Sequence, residues 1–174
     1  MKNTLLQDPA DAASSSPSAP TRQQAVGLIG WLALCFAATA TSLFVTTDGW
    51  FETLKKPAWN PPSWLFGPVW TLLYAMMAVA AWLVWRDGGW KINRWALGVF
   101  CLQLLFNVLW TPLFFGAHRP GLAFIDIVLL WSSLAVTIVL FWRVNTLAGM
   151  LLLPYLAWTT FAAVLNATIW RMNT

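Results

Sequence analysis

Five apolar stretches, each about twenty residues long and nearly free of charge, decide what this chain can fold into. They run from about Val26 to Val45, Ser63 to Trp85, Trp95 to Phe115, Leu122 to Trp142 and Leu147 to Ile169. Each matches the ~20 residues that an α-helix needs to cross ~30 Å of hydrocarbon. Spanning strands alternate over ~10 residues and must close into a barrel; these stretches are apolar on every side and roughly twice that length. Only 9% of residues are charged, against ~25% in ordinary soluble domains, and 59% are hydrophobic. A soluble core of this size could not hide that much apolar surface. The expected fold is an all-α membrane protein, a bundle of five transmembrane helices. One domain covers residues 25–173, behind a Pro/Ser/Ala-rich tail, residues 1–24, whose composition reads as disordered.

The net charge of +4 does not point to nucleic acid, because the cations sit at segment ends rather than along a basic stripe. With five crossings, Lys2, Arg22, Arg86, Lys91, Arg94 and Arg143 fall on one side, and Lys55, Lys56, Arg119 and Arg171 on the other. That excess places the N-terminus in the cytoplasm. Cys35 and Cys101 lie inside apolar stretches and read as small buried hydrophobes. One histidine, His118, and scattered carboxylates do not make a ligand set, so no metal site is expected. GxSxG, HExxH, Walker A and GxGxxG patterns are absent, which argues against conventional hydrolytic or phosphoryl-transfer chemistry. Asp126 is expected near the interface, facing the bundle and accepting hydrogen bonds. Ala33, Ala37 and Thr41, and likewise Ala163 and Ala167, recur every four residues and mark close-packing faces, within the bundle or in a homodimer.

Helical spacing gathers the unusual residues onto faces. Gln103, Asn107, Trp110 and Phe114 form one stripe on the third helix; Trp70, Tyr74 and Met77 share a face of the second. On the fifth, Tyr155, Trp158, Ala162, Leu165 and Asn166 fall on or near one face. Amides and phenols in hydrocarbon need partners, so the stripes should point inward. Either they hold helices together, or they converge on a pocket with flat aromatic walls and a few polar anchors, suited to a large planar apolar ligand. The loop from Thr46 to Pro62 is stiffened by Pro57, Pro61 and Pro62, and Trp50, Trp59 and Trp64 suit the headgroup zone.

The segments WFETLKKPAWNPP, GPVWTLLYAMMAVA, QLLFNVLWTPLFF, FIDIVLLW and LLLPYLAWTTFAAVLNATIW, in that order, resemble the TspO/MBR family, the translocator proteins or peripheral benzodiazepine receptors. The likeness runs from about residue 27 to residue 173. It implies a five-helix bundle, commonly a homodimer, whose cavity binds tetrapyrroles such as protoporphyrin IX and haem as ligands, with no obligatory cofactor. By motif position the ligand contacts would be Trp50, Pro61, Trp70, Asn107, Trp110, Trp158 and Ala162, with Trp70 and Trp158 flanking the ligand and Asn107 bonding to it. Two departures stand out. Phe51 occupies a position where the family commonly has a tyrosine, and Ala167 replaces the tyrosine of the sterol-recognition motif, so cholesterol binding is not carried over. The resemblance implies porphyrin sequestration, transport or sensing, with no catalytic residue assigned. An enzymatic alternative, light- and oxygen-dependent porphyrin breakdown, would involve Trp70 and Trp158. A third reading is a ligand-regulated scaffold. The missing sterol motif points to a bacterial envelope as the location.

Overall fold

A computed structural model describes residues 21–40 and 49–174. Helix α1 (Thr21–Ala37) ends in a 3₁₀ turn, Ala38–Ala40. A single short turn, α2 (Trp50–Thr53), opens the described part of the long loop. Next come α3 (Ser63–Arg86), α4 (Gly89–Thr111) running into a π turn at Pro112–Gly116, and α5 (Pro120–Val144). Helices α6 (Thr146–Leu151) and α7 (Leu153–Met172) complete the chain. Among the described residues four helical runs are long and apolar enough to cross a membrane: Ser63–Arg86, Gly89–Gly116, Pro120–Val144 and Thr146–Met172. Helix α1, described over 17 residues, is the fifth member of the bundle and packs along α3. The all-helical, multi-pass architecture is therefore the one the apolar stretches require.

Short connections make sequential helices antiparallel neighbours. Helix α3 packs on α1, α4 and α6, while α5 packs on α4 and α7. The α3–α4 link is a two-glycine turn, with Gly88 at φ 149° and Gly89 at φ 60°, a backbone that side chains with a Cβ resist. Buried Asn93 closes that corner by donating from Nδ2 to the Val84 carbonyl at 2.8 Å. At the same end Asn145 caps α6, accepting from the Ala148 N–H at 3.2 Å, and its Nδ2 donates to Asp87 Oδ2 at 2.9 Å. Trp82 Nε1 donates to the Gln24 carbonyl at 3.0 Å and ties α1 to α3 there. The long loop, His118 and the end of α7 lie at the opposite end of the bundle.

Some boundaries differ from those expected of the sequence. Residues 21–24, assigned to the tail, are the first turn of α1, and residues 41–45 of the first apolar stretch lie outside the described residues, as does most of the tail. A short helical turn from Gly89 precedes the stretch that starts at Trp95, with a kink at Asn93 (φ −100°, ψ 25°) between them; Trp90 stacks on Trp31 (6.0 Å between ring centroids) and makes that polar turn part of the packing. The last stretch is broken at Leu152, where Pro154 brings no N–H to the helical ladder. Ala33 and Ala37 are exposed in this chain, so that stripe does not pack within the bundle; Thr41 lies outside the described residues.

Candidate ligand-binding cavity

The three inward stripes meet at the loop end of the bundle around a cavity of about 880 Å³. That volume lies in the upper part of the ~300–1,000 Å³ range of small-molecule sites. Trp70 and Tyr74 of α3, Asn107 and Trp110 of α4, Ile127 and Leu130 of α5, and Trp158 and Ala162 of α7 form its walls. Phe36 and Thr39 close the α1 side, and Phe51, Glu52, Lys56 and Asn60 of the loop form the roof. Five of the seven residues assigned to the site from sequence thus line one space. Trp50 and Pro61 are not among the lining residues; Trp50 instead stacks on His118 at 4.3 Å.

The walls are mostly rings at right angles. Trp70 stacks on Tyr74 (5.5 Å, 29°) and stands edge-on to Trp158 (6.5 Å, 89°). Trp158 is braced from behind by Phe66 and Phe161. Such edge and offset contacts are the favoured aromatic geometries and fix ring planes. On α4 the π turn does similar work. The Ala117 N–H reaches back five residues to the Pro112 carbonyl (2.8 Å), and the wider turn lets consecutive Phe114 and Phe115 both face the loop. Phe114 stacks on Trp110 at 5.1 Å and touches Trp50 and Phe51, while Phe51 also meets Phe115 at 5.3 Å.

Polar groups on the floor bond from helix to helix, one of the two readings that the stripes leave open. The chain has two tyrosines, and both bond to Asn107. The Tyr74 hydroxyl donates to Asn107 Oδ1 at 2.5 Å, and Asn107 Nδ2 donates to the Tyr155 hydroxyl oxygen at 2.8 Å. One amide therefore joins α3, α4 and α7. Trp110 Nε1 donates to Asn166 Oδ1 at 3.0 Å, and Asn166 Nδ2 to the Pro120 carbonyl at 2.8 Å, which adds α5 to the frame. Two buried cavity-wall atoms have no partner among the described residues: the donor Trp158 Nε1 and the acceptor Asn60 Oδ1.

Other candidates fall elsewhere. Gln103 shares the Asn107 stripe but lies one turn deeper, fully buried, with neither amide atom bonded among the described residues. Replacing it by leucine removes two orphaned groups at similar volume, so Gln103→Leu is expected to raise stability by about 1–3 kcal/mol. Thermal unfolding in detergent checks this, and a fall would show that the amide makes bonds in the membrane. Asp126 is buried and faces the bundle, as expected, and its Oδ2 accepts no hydrogen bond among the described residues. On a helix interior the neighbouring peptide N–H groups are already committed to the ladder. Ala163 and Ala167 line a separate outward groove of about 470 Å³ with Trp131 and Arg171. Much of the lining, Phe36, Phe51, Asn60, Phe66 and Phe115 among it, is absent from the set that the sequence assigns. Phe66 sits one turn before Trp70 and is accessible to the same spacing argument; Phe115 depends on the π turn and is not.

The chain matches the TspO/MBR family over residues 30–171, which takes in every residue lining the cavity. The chain belongs to the TspO/MBR family. It is 44% identical over 147 residues to the tryptophan-rich protein TspO of Chlorobaculum tepidum, covering 82% of this chain and 92% of that one. It is 41% identical over 143 residues to the human translocator protein, covering 80% and 83% respectively. The tryptophan-rich sensory protein of Cereibacter sphaeroides is also 41% identical over 143 residues, covering 82% and 89%. Within this TspO/MBR chain five of the fourteen tryptophans serve the site: Trp70, Trp110 and Trp158 wall the cavity and Trp50 and Trp59 anchor its roof.

Proposed function

We propose that this membrane protein binds a planar tetrapyrrole, protoporphyrin IX or haem, in the roofed cavity, and acts in porphyrin sequestration, transport or sensing. The observation that carries the reading is the combination of perpendicular indole walls with one buried, unpartnered N–H, that of Trp158. Flat rings supply stacking area at low entropic cost, and an orphaned donor gains from an acceptor that a ligand brings. Anionic side groups of such a ligand meet a cation at the roof. Of Lys55, Lys56 and Arg119, only Lys56 lines the cavity, its ammonium 4.5 Å from the Phe51 ring centroid. Asn107, with its carbonyl and one N–H engaged by tyrosines, acts mainly by holding the floor in shape.

Titration with protoporphyrin IX, followed by tryptophan quenching, tests this. Saturable binding is expected, weakened roughly 3- to 10-fold by Trp158→Phe, the value of one neutral hydrogen bond. Non-saturable quenching, or affinity indifferent to that change, would remove the support. The contact between Trp70 and Trp158 also favours a second reading, light- and oxygen-dependent porphyrin oxidation at that indole pair. A new absorbing product under illumination, lost in Trp→Phe variants that still bind, would select it.

A further inference from the structure

We infer that Asn173, just after α7, is a positioning residue for the cavity roof and sets the place of Lys56. The side-chain amide of Asn173 pairs with both backbone groups of Lys55, 118 residues away. Oδ1 accepts from the Lys55 N–H at 3.0 Å, and Nδ2 donates to the Lys55 carbonyl at 3.0 Å. Nδ2 also donates to the Ile169 carbonyl at 2.7 Å, so the amide is itself anchored to the last turn of α7. The Asn173 N–H in turn bonds the Trp170 carbonyl at 3.1 Å, which fixes the residue carrying the amide.

This pairing has the form of one rung of a β-ladder, with a side chain in place of the second strand. Its importance lies in the neighbouring residue. Lys55 points away from the cavity and is exposed, whereas Lys56 is half-buried and lines it. Fixing both peptide groups of Lys55 fixes the direction in which the next residue leaves, so Asn173 determines which of two adjacent lysines faces the ligand. Lys56 Nζ itself donates to the Glu52 carbonyl at 3.5 Å and lies over the Phe51 ring, contacts that hold the ammonium but not the backbone from which it leaves. Trp50 on His118, Phe51 on Phe114 and Phe115, and Trp59 on Phe161 are ring contacts, which hold position but bond neither peptide group of Lys55. Asn173 lies two residues beyond residues 30–171, the part matched to the family.

The inference deepens the porphyrin reading, but its first two tests need no ligand. In the full-length protein in detergent, Asn173→Ala is expected to speed hydrogen exchange at the Lys55 amide about tenfold or more. Asn173→Asp keeps an acceptor for that N–H but loses both donors, so exchange should fall between the two. With an amine-acetylating reagent, Lys56 should react more slowly than Lys55 in the parent protein and at a similar rate in Asn173→Ala. Unchanged exchange overturns the latch. Faster exchange with Lys56 still protected leaves Asn173 a loop tether only and overturns its positioning role. The third test compares protoporphyrin IX with its dimethyl ester. Asn173→Ala should weaken the dicarboxylate about 3- to 10-fold, leave the ester unchanged, and add nothing in a Lys56→Gln background. Equal losses for both ligands overturn the action through Lys56. If the parent protein binds neither ligand, the porphyrin reading fails, and exchange and acetylation decide the latch.

Discussion

Asn107→Leu is expected to destabilise the bundle by about 2–6 kcal/mol, because it orphans two buried phenols at once, each at about 1–3 kcal/mol. Tyr74 is 6% exposed, at the cavity wall, and Tyr155 fully buried, so both hydroxyls depend on partners inside the bundle. Pairwise hydrogen bonds between membrane helices average only ~0.6 kcal/mol in double-mutant cycles. The large effect therefore comes from stranding polar groups in hydrocarbon rather than from the bond energies themselves. Unfolding in detergent should show the loss, and it should shrink in a Tyr74→Phe background, where one of the stranded groups is already gone. A small loss, identical in both backgrounds, would mean that the phenols find other partners and that Asn107 is not the joint of three helices.

Removing the ring of Phe114 should cost about 3–5 kcal/mol, the range for truncating a buried aromatic to alanine. Phe114 is 2% exposed and touches Trp50, Phe51, Trp110 and Phe115, so it is the floor on which the roof rests. In Phe114→Ala the roof should loosen before the bundle does. Trypsin, which cuts after Lys55 but not at the Lys56–Pro57 bond, reports this directly: cleavage at Lys55 should accelerate at temperatures where the helices remain intact. Cleavage at the parent rate would show that the loop is held by its other contacts.

The helices are legible in the sequence because twenty-residue apolar runs have few alternatives in lipid, and the stripes because a period of 3.6 puts Trp70 with Tyr74 and Asn107 with Trp110. What periodicity does not supply is depth. Gln103 and Asn107 share a face, yet only Asn107 reaches the cavity, since the space ends between one turn and the next. Periodicity also fails where the backbone leaves the α-helix. Phe115 enters the site through a π turn, and Trp50 turns to His118, not to the cavity, because a loop's contacts follow no repeat. The helix ends escape it for a related reason. Gly89–Arg94 contains lysine and arginine and fails an apolar test, although its tryptophan packs against α1.

The helices of the bundle and the roof over its cavity are held by different kinds of bond. At the end away from the cavity, directional hydrogen bonds from Trp82, Asn93 and Asn145 tie α1 to α3, α4 to α3, and the start of α6 to the α3–α4 corner. At the cavity end the closure is largely rings resting on rings, with the amide pairing of Asn173 beside them. Ring contacts can slide and re-form with little angular penalty, whereas a hydrogen bond weakens steeply when bent. The molecule is thus built like a riveted cup with a resting cover: Asn107 and Asn166 bond the helices to one another beneath the roof, and a bulky disc can be admitted by a shift of the roof's rings without disturbing that frame.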